Sequence, residues 1–110
     1  KLDTAIVVSA IGQVKKFTLG YFNGKEYLYQ DYEKTHELLS ISGMISWLPE
    51  ENDYKFHLHA TVGNEEKQAF GGHFTRGIEQ SANEIVLLKA CIEVKRRKEG
   101  QAGMAGLYLE

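Results

Sequence analysis

The sequence contains very little cysteine, very little proline and no long apolar segment. Its single cysteine, Cys91, cannot form a disulfide within the chain, which argues against a disulfide-stapled secreted domain and favours a reducing compartment. No uninterrupted apolar run approaches the ~20 residues that a membrane-spanning helix requires, and the first residues lack the order of a signal peptide. We therefore expect a cytoplasmic protein without membrane association.

The chain also has no strong excess of either charge. Its formal net charge is −2, so no global positive field attracts nucleic acid, and any such binding must be local. Hydrophobic residues make up 43% and charged residues 25% of the 110 residues, which is typical of a folded chain and not of a disordered one. We expect a single domain that spans residues 1–110.

The first third of the chain predicts strands separated by turns. Residues 4–11 are rich in β-branched side chains and are followed by Gly12, which predicts a strand that ends in a turn. Apolar and polar residues mostly alternate over 13–22, and Asn23-Gly24 is a strong signal for a two-residue hairpin. The next strand is predicted over residues 25–32.

The rest of the chain continues this pattern. Residues 36–47 are apolar and end before Pro49, and residues 54–62 alternate strictly between apolar and polar side chains. Strands are also predicted over 67–75 and, as one long or two short segments, over 84–97, where a helix over 84–95 is the alternative. Because turns recur about every ten residues, we predict a mainly β class, either a barrel or a sandwich.

Several segments, in the same order as in a known family, carry a resemblance. They are Gly12 with Val14, FTLGYF at 17–22, HELLSISGMIS at 36–46, FHLHATVG at 56–63, GGHF at 71–74 and GLYLE at 106–110. The chain resembles a PPC (plants-and-prokaryotes-conserved) domain, and its HLH strand followed by Gly-Gly-His is distinctive. The resemblance implies an α+β, mainly β fold, in which an antiparallel barrel-like sheet has at most one or two flanking helices and assembles as a homotrimer.

Members of that family usually begin with a further strand and helix before the segment that matches residues 4–12. We expect this chain to lack both, either because the sequence is a fragment, because its start was not recorded or because this member is shorter. A missing helix would leave apolar sheet surface exposed.

Three histidines form the most informative chemical pattern in the sequence. His57 and His59 are two residues apart on a predicted strand, so both imidazoles leave the same face about 6 to 7 Å apart at Cα. His73 follows Gly71-Gly72, where missing side chains permit a close approach that directs its ring to the same place. The three predict a divalent metal site, with zinc as the first choice; the alternative is histidines that are only solvated or hydrogen-bonded.

The residues around this predicted site bear on whether it is catalytic. Glu37 matches the acidic position of the family and is expected to support a histidine ligand without binding the metal itself. His36 is expected to be an ordinary surface histidine. An enzyme would need a base beside a metal-bound water, and the sequence offers no convincing one, so we expect a protein that is not an enzyme.

A role in DNA binding has some support from the resemblance, because plant members join the domain to an AT-hook, a short Arg-Gly-Arg-Pro core that enters the minor groove. This chain contains no such core. Its one basic cluster is flanked by Glu93 and Glu99 and is better explained as a solvated strand end; it comprises Lys95, Arg96, Arg97 and Lys98.

Three functional hypotheses therefore remain. The favoured one is a homotrimeric interaction or regulatory module with a histidine metal site. The alternatives are a DNA-binding protein, and a metal-dependent enzyme or small-ligand binder.

Overall fold

The computed structural model describes residues 4–90, together with the backbone of 94–98 and 105–109. Within these ranges the chain forms eight strands and one 3-10 turn, Pro49–Glu51, and no α-helix. No helix in this part of the chain is long and apolar enough to cross a membrane. The strands are β1 (Thr4–Phe22), β2 (Tyr27–Tyr32), β3 (His36–Leu48), β4 (Asp53–Gly63), β5 (Ala69–Glu79), β6 (Glu84–Lys89), β7 (Val94–Lys98) and β8 (Ala105–Leu109).

Four of these strands close into an antiparallel barrel. β1 pairs with β3, β3 with β4, β4 with β5, and β5 returns to β1. β2 and β6 pair with β1 outside this ring, and β7 pairs with β8 as a separate two-stranded sheet. Closing the ring satisfies strand edges that would otherwise remain open, and the prediction of a mainly β, barrel-like antiparallel sheet is confirmed.

The first strand differs from its prediction. The turn expected at Gly12 is wrong, because β1 continues through this residue for 19 residues in all. Gly12 has φ of +151°, a side chain there would collide with Asn83, and the next amide, of Gln13, donates a hydrogen bond to Asn83 Oδ1 at 2.9 Å. The glycine therefore lets the strand bend beside the 80–83 segment instead of ending it.

Other connections follow the sequence more closely. The hairpin at Asn23 is present, but its loop contains four residues, because the Asn23 side-chain oxygen accepts the amides of Lys25 and Glu26 and β2 starts at Tyr27. The region 84–97 forms two short strands, β6 and β7, so the helical alternative is wrong over Glu84–Lys89. Cys91 lies outside the described residues.

The core lies inside the barrel and follows from the alternation of its strands. Its buried members are Val14, Phe17, Leu19, Leu38, Ala60 and Val62. Phe17 is fully buried and stacks on Tyr32, with ring centroids 5.0 Å apart.

His36 is not the surface histidine that the sequence suggested. It is half-buried, and its ring contacts Phe17 edge-on, with ring centroids 5.1 Å apart, and Phe70, with ring centroids 5.6 Å apart.

Candidate metal centre

The predicted histidine site is built by two neighbouring strands. On β4, Ala60 and Val62 point into the core, so the alternate residues His57 and His59 point away from it. On β5, His73 lies directly opposite His59 in the antiparallel register. The structure therefore brings the three histidines onto one outer face of the barrel.

The glycine pair before His73 makes this register possible. A side chain at Gly71 would collide with the carbonyl oxygen of Ala60 on β4, and one at Gly72 would stand 2.7 Å from the carbonyl oxygen of Gly20 on β1. β5 fits closely between its two neighbours because both positions lack a side chain. This is the close approach that the sequence predicted.

The three imidazoles are close enough to share one ion. One ring nitrogen from each of His57, His59 and His73 lies within 4.8 Å of the others, and the ring centroids are 5.3 to 5.6 Å apart. Nitrogen ligands of tetrahedral zinc sit at 2.0–2.1 Å, which places them about 3.3 Å from one another. Small side-chain rotations would close that gap, since His59 is exposed and its ring is free of core packing.

His73 has the environment of a metal ligand. It is half-buried, and its Nδ1 is buried with no hydrogen-bond partner among the described residues. Burial lowers the pKa of His73 below the ordinary value of 6.5, and the neighbouring His59, His57 and Lys55 lower it further. The ring is thus neutral near pH 7, and a neutral imidazole with an unpaired nitrogen fits a divalent ion.

Two residues near the cluster were missed by the sequence analysis. Tyr27 of β2 packs its ring 5.2 Å from the His73 ring, and Lys55 precedes His57 by two residues on the same strand face. The alternation of β4 was a usable signal for Lys55. Tyr27 lies near His73 because β2 and β5 both pair with β1 at Gly20. No local sequence pattern indicates this double pairing.

Glu37 lies apart from the histidines within the chain. Glu37 is paired with Gly63 of β4, and Gly63 lies four residues, or about 13 Å, along that strand from His59. The histidine cluster itself contains no carboxylate. Its Oε2 accepts a hydrogen bond from Gln13 Nε2 at 2.7 Å. A cleft of about 440 Å³ lies there, lined also by His36 and Lys67. A supporting role for Glu37 at the metal site stays a prediction.

The basic cluster belongs to β7, which pairs with β8. The side chains of Lys95, Arg96, Arg97 and Lys98 lie outside the described part of the structure. The nucleic-acid prediction for them therefore stays a prediction.

Fold and site together define a small antiparallel β-barrel protein with three clustered histidines on its outer face. The sequence profile of the Plants and Prokaryotes Conserved (PCC) domain, also written PPC, matches residues 1–90. The chain therefore belongs to the PCC domain family. No curated protein matches it in sequence.

Solved structures of similar fold include proteins from two archaea. A plant- and prokaryote-conserved protein from Pyrococcus horikoshii is 34% identical, with a TM-score of 0.81 and coverage of 94% of this chain and 71% of that one. A protein from Archaeoglobus fulgidus, described as metal-containing, is 30% identical, with a TM-score of 0.82 and coverage of 99% and 76%. A third, from Bacteroides thetaiotaomicron and named "putative DNA binding protein", is 24% identical, with a TM-score of 0.83 and coverage of 98% and 74%, and shows the shared fold.

Proposed function

We propose that this protein is a homotrimeric interaction or regulatory module whose His57, His59 and His73 bind a divalent metal ion, with zinc as the first choice. The observation that carries the proposal is the approach of one ring nitrogen from each of the three histidines to within 4.8 Å of the others. The buried Nδ1 of His73 has no partner among the described residues, which is costly, and a metal ion bound at that nitrogen would remove the cost. The Archaeoglobus relative, described as metal-containing, supports the same interpretation.

The donor set favours zinc over harder ions. Imidazole nitrogen suits zinc, copper, nickel and iron, whereas calcium and magnesium prefer the carboxylate and carbonyl oxygens that this cluster lacks. Three protein ligands leave a fourth position open for water or another molecule. With no base in the cluster to activate that water, binding is a better proposal than catalysis.

Metal analysis tests the proposal directly. The protein should be purified without a histidine tag, and its metal content should be measured by mass spectrometry against a His59→Ala variant. We expect stoichiometric metal in the native protein and a loss of at least tenfold in metal affinity in the variant, because one of three ligands is gone. His36→Gln is the matched control, since His36 is the remaining histidine and lies outside the cluster. Native protein that binds none of the ions zinc, copper, nickel or iron would contradict the proposal.

Self-association is proposed from the exposed apolar surface. Large apolar side chains are exposed along β1 and along β6, the outer strand that pairs with it; they include Ile6, Val8, Ile85, Val86, Leu87 and Leu88, of which Val8 is 59% exposed. Monomeric proteins rarely expose large contiguous apolar patches, and cross-strand partners such as Ile6 and Leu88 would contribute to one. Second and third copies of the chain would cover them. Light scattering should give three times the 12.4 kDa mass of the chain, and a monomer mass would contradict the trimer.

DNA association is the second candidate function, and the run Lys95, Arg96, Arg97 and Lys98 is the observation in its favour. The net charge of −2 opposes it. If DNA binds through this run, affinity must fall steeply with salt and with substitution of these four residues by Gln. A gel shift that is absent or insensitive to salt would contradict DNA association.

A cytoplasmic location remains part of the proposal and is testable by cell fractionation.

A further inference from the structure

A cleft opens beside the histidine cluster where two barrel strands separate. The pairing of β4 with β5 ends at His59 and His73, although β4 extends back to Asp53 and β5 continues to Glu79. The space between the two diverging segments has a volume of about 510 Å³, and His73 lies on its wall. Clefts of a few hundred Å³ accommodate small molecules, and a molecule in this one would lie next to His73, the one histidine of the cluster that lines it.

The two charged side chains that line the cleft are both cationic. Lys55 and Arg76 both line it, and no carboxylate is among its lining residues. Arg76 is held in place because its Nε donates a hydrogen bond to Thr18 Oγ1 at 3.1 Å, and that hydroxyl in turn donates to Asp31 Oδ1 at 2.6 Å. Asp31 is thus linked to Arg76 through the Thr18 hydroxyl but does not line the cleft, so the lining carries two positive charges and no negative one.

The spacing lets one ligand contact both the ion and a cation. Lys55 precedes His57 by two residues on the same strand face, a separation of about 6 to 7 Å at Cα. Phe56, Phe74 and Tyr29 supply apolar and aromatic walls to the same cleft. An anchored anion with a short carbon body matches this combination of a metal, two cations and apolar walls.

We propose that this cleft binds a small molecule that carries carboxylate or phosphate groups, with one oxygen on the metal held by the three histidines and another anionic group on Lys55 and Arg76. This inference rests on the metal site proposed above, because the open fourth ligand position receives the first oxygen. Lys55 and Arg76 select for negative charge, and the apolar walls limit the size of the body between the two ends.

Binding can be followed on cobalt-loaded protein after excess metal is removed, because the visible spectrum of cobalt changes when an oxygen ligand enters its coordination sphere. Succinate and inorganic phosphate are the two probes, and succinamide is the uncharged analogue of succinate. We expect at least one of the two anions to change the spectrum and to give a saturable calorimetric titration, while succinamide gives neither. Which anion binds distinguishes a carboxylate ligand from a phosphate ligand.

Three variants locate the anion. Lys55→Gln and Arg76→Gln should each weaken anion binding about tenfold, which is the effect of losing one charge-assisted hydrogen bond, while metal content stays at the native value. Lys34→Gln removes an exposed lysine that does not line the cleft and should leave anion affinity unchanged. If Arg76→Gln fails to fold because its hydrogen bond to Thr18 is lost, the Lys55→Gln variant is sufficient for the test, since Lys55 is exposed.

The outcomes separate this inference from the metal proposal. Metal-loaded protein that binds neither anion, or a Lys55→Gln variant that binds the anion as tightly as the native protein, would overturn the cleft assignment and leave the metal site intact. Native protein that takes up no metal would instead contradict the metal site, and the anion-binding proposal, which depends on that site, would be contradicted with it.

Discussion

His59 of β4 and His73 of β5 face each other at the last paired position of these two strands. The pair joins a closed region of the barrel to the segment where the strands diverge, so the site has rigid backbone on one side and open space on the other. Groups on paired strands hold their geometry well, which suits a metal site, whereas the open side admits a ligand.

Metal should stabilise the fold measurably. A ligand that binds only the native state adds about 2.7 kcal/mol to the free energy of unfolding when its free concentration is a hundred times Kd. We expect the urea midpoint of chelator-treated protein to rise by a corresponding amount on addition of zinc. The His59→Ala variant, with affinity at least tenfold weaker, should show at most about half of this rise, and an equal rise in both proteins would place the zinc elsewhere.

The metal-free protein should lose stability as the pH falls. The folded state lowers the pKa of His73 below 6.5, so both folded and unfolded chains are neutral at this position above about pH 7. Below pH 6.5 the unfolded chain takes up a proton that the folded state resists, and the free energy of unfolding therefore decreases. Urea titrations with chelator from pH 7.5 to 5.5 should show a shallower decrease for His73→Gln. If the free energy of unfolding falls equally with pH in the native protein and in His73→Gln, burial does not lower the pKa of His73.

Gly71 should not tolerate a side chain. A Cβ there would collide with the Ala60 carbonyl oxygen of the neighbouring strand, and we expect Gly71→Ala to cost ~1–3 kcal/mol of stability, as in other overpacked sites. Metal affinity should fall too, because His73 lies two residues away. Gly63→Ala is the control: its Cβ would meet only the end of the Leu39 side chain, at 3.3 Å. Urea unfolding that ranks the control as the more damaging variant would refute the prediction.

Phe17 should be the most sensitive core position. It is fully buried and stacks on Tyr32, so Phe17→Ala is expected to lower the free energy of unfolding by ~3–5 kcal/mol. Phe17→Leu keeps most of the volume and should cost less, which gives a measurable variant if the alanine variant does not fold. Tyr21→Ala removes a ring that is 69% exposed and should change stability by less than about 1 kcal/mol.

Much of the local structure could be read from the sequence because it follows from the alternation of side chains. The strict pattern of residues 54–62 predicted β4, and it predicted that His57 and His59 leave the face opposite the core. The glycines before His73 signalled a close approach, and the Asn23 hairpin was visible from its turn residues. These features depend on neighbours along the chain, so short patterns encode them.

Other features were decided only by the tertiary structure, because they depend on strands far apart in sequence. The local pattern at Gly12 predicts a turn, yet β1 bends there and continues, because Gly12 pairs with Leu38 of β3 and Ile11 pairs with Glu84 of β6. The position of Glu37 is another such feature, because the register of β3 on β4 places it opposite Gly63, while its supporting role stays a prediction. The recurrence of turns and the alternation of side chains predicted the mainly β class from the sequence alone. The barrel closure set which histidines meet and where the cleft opens, since only long-range pairing fixes the register between strands.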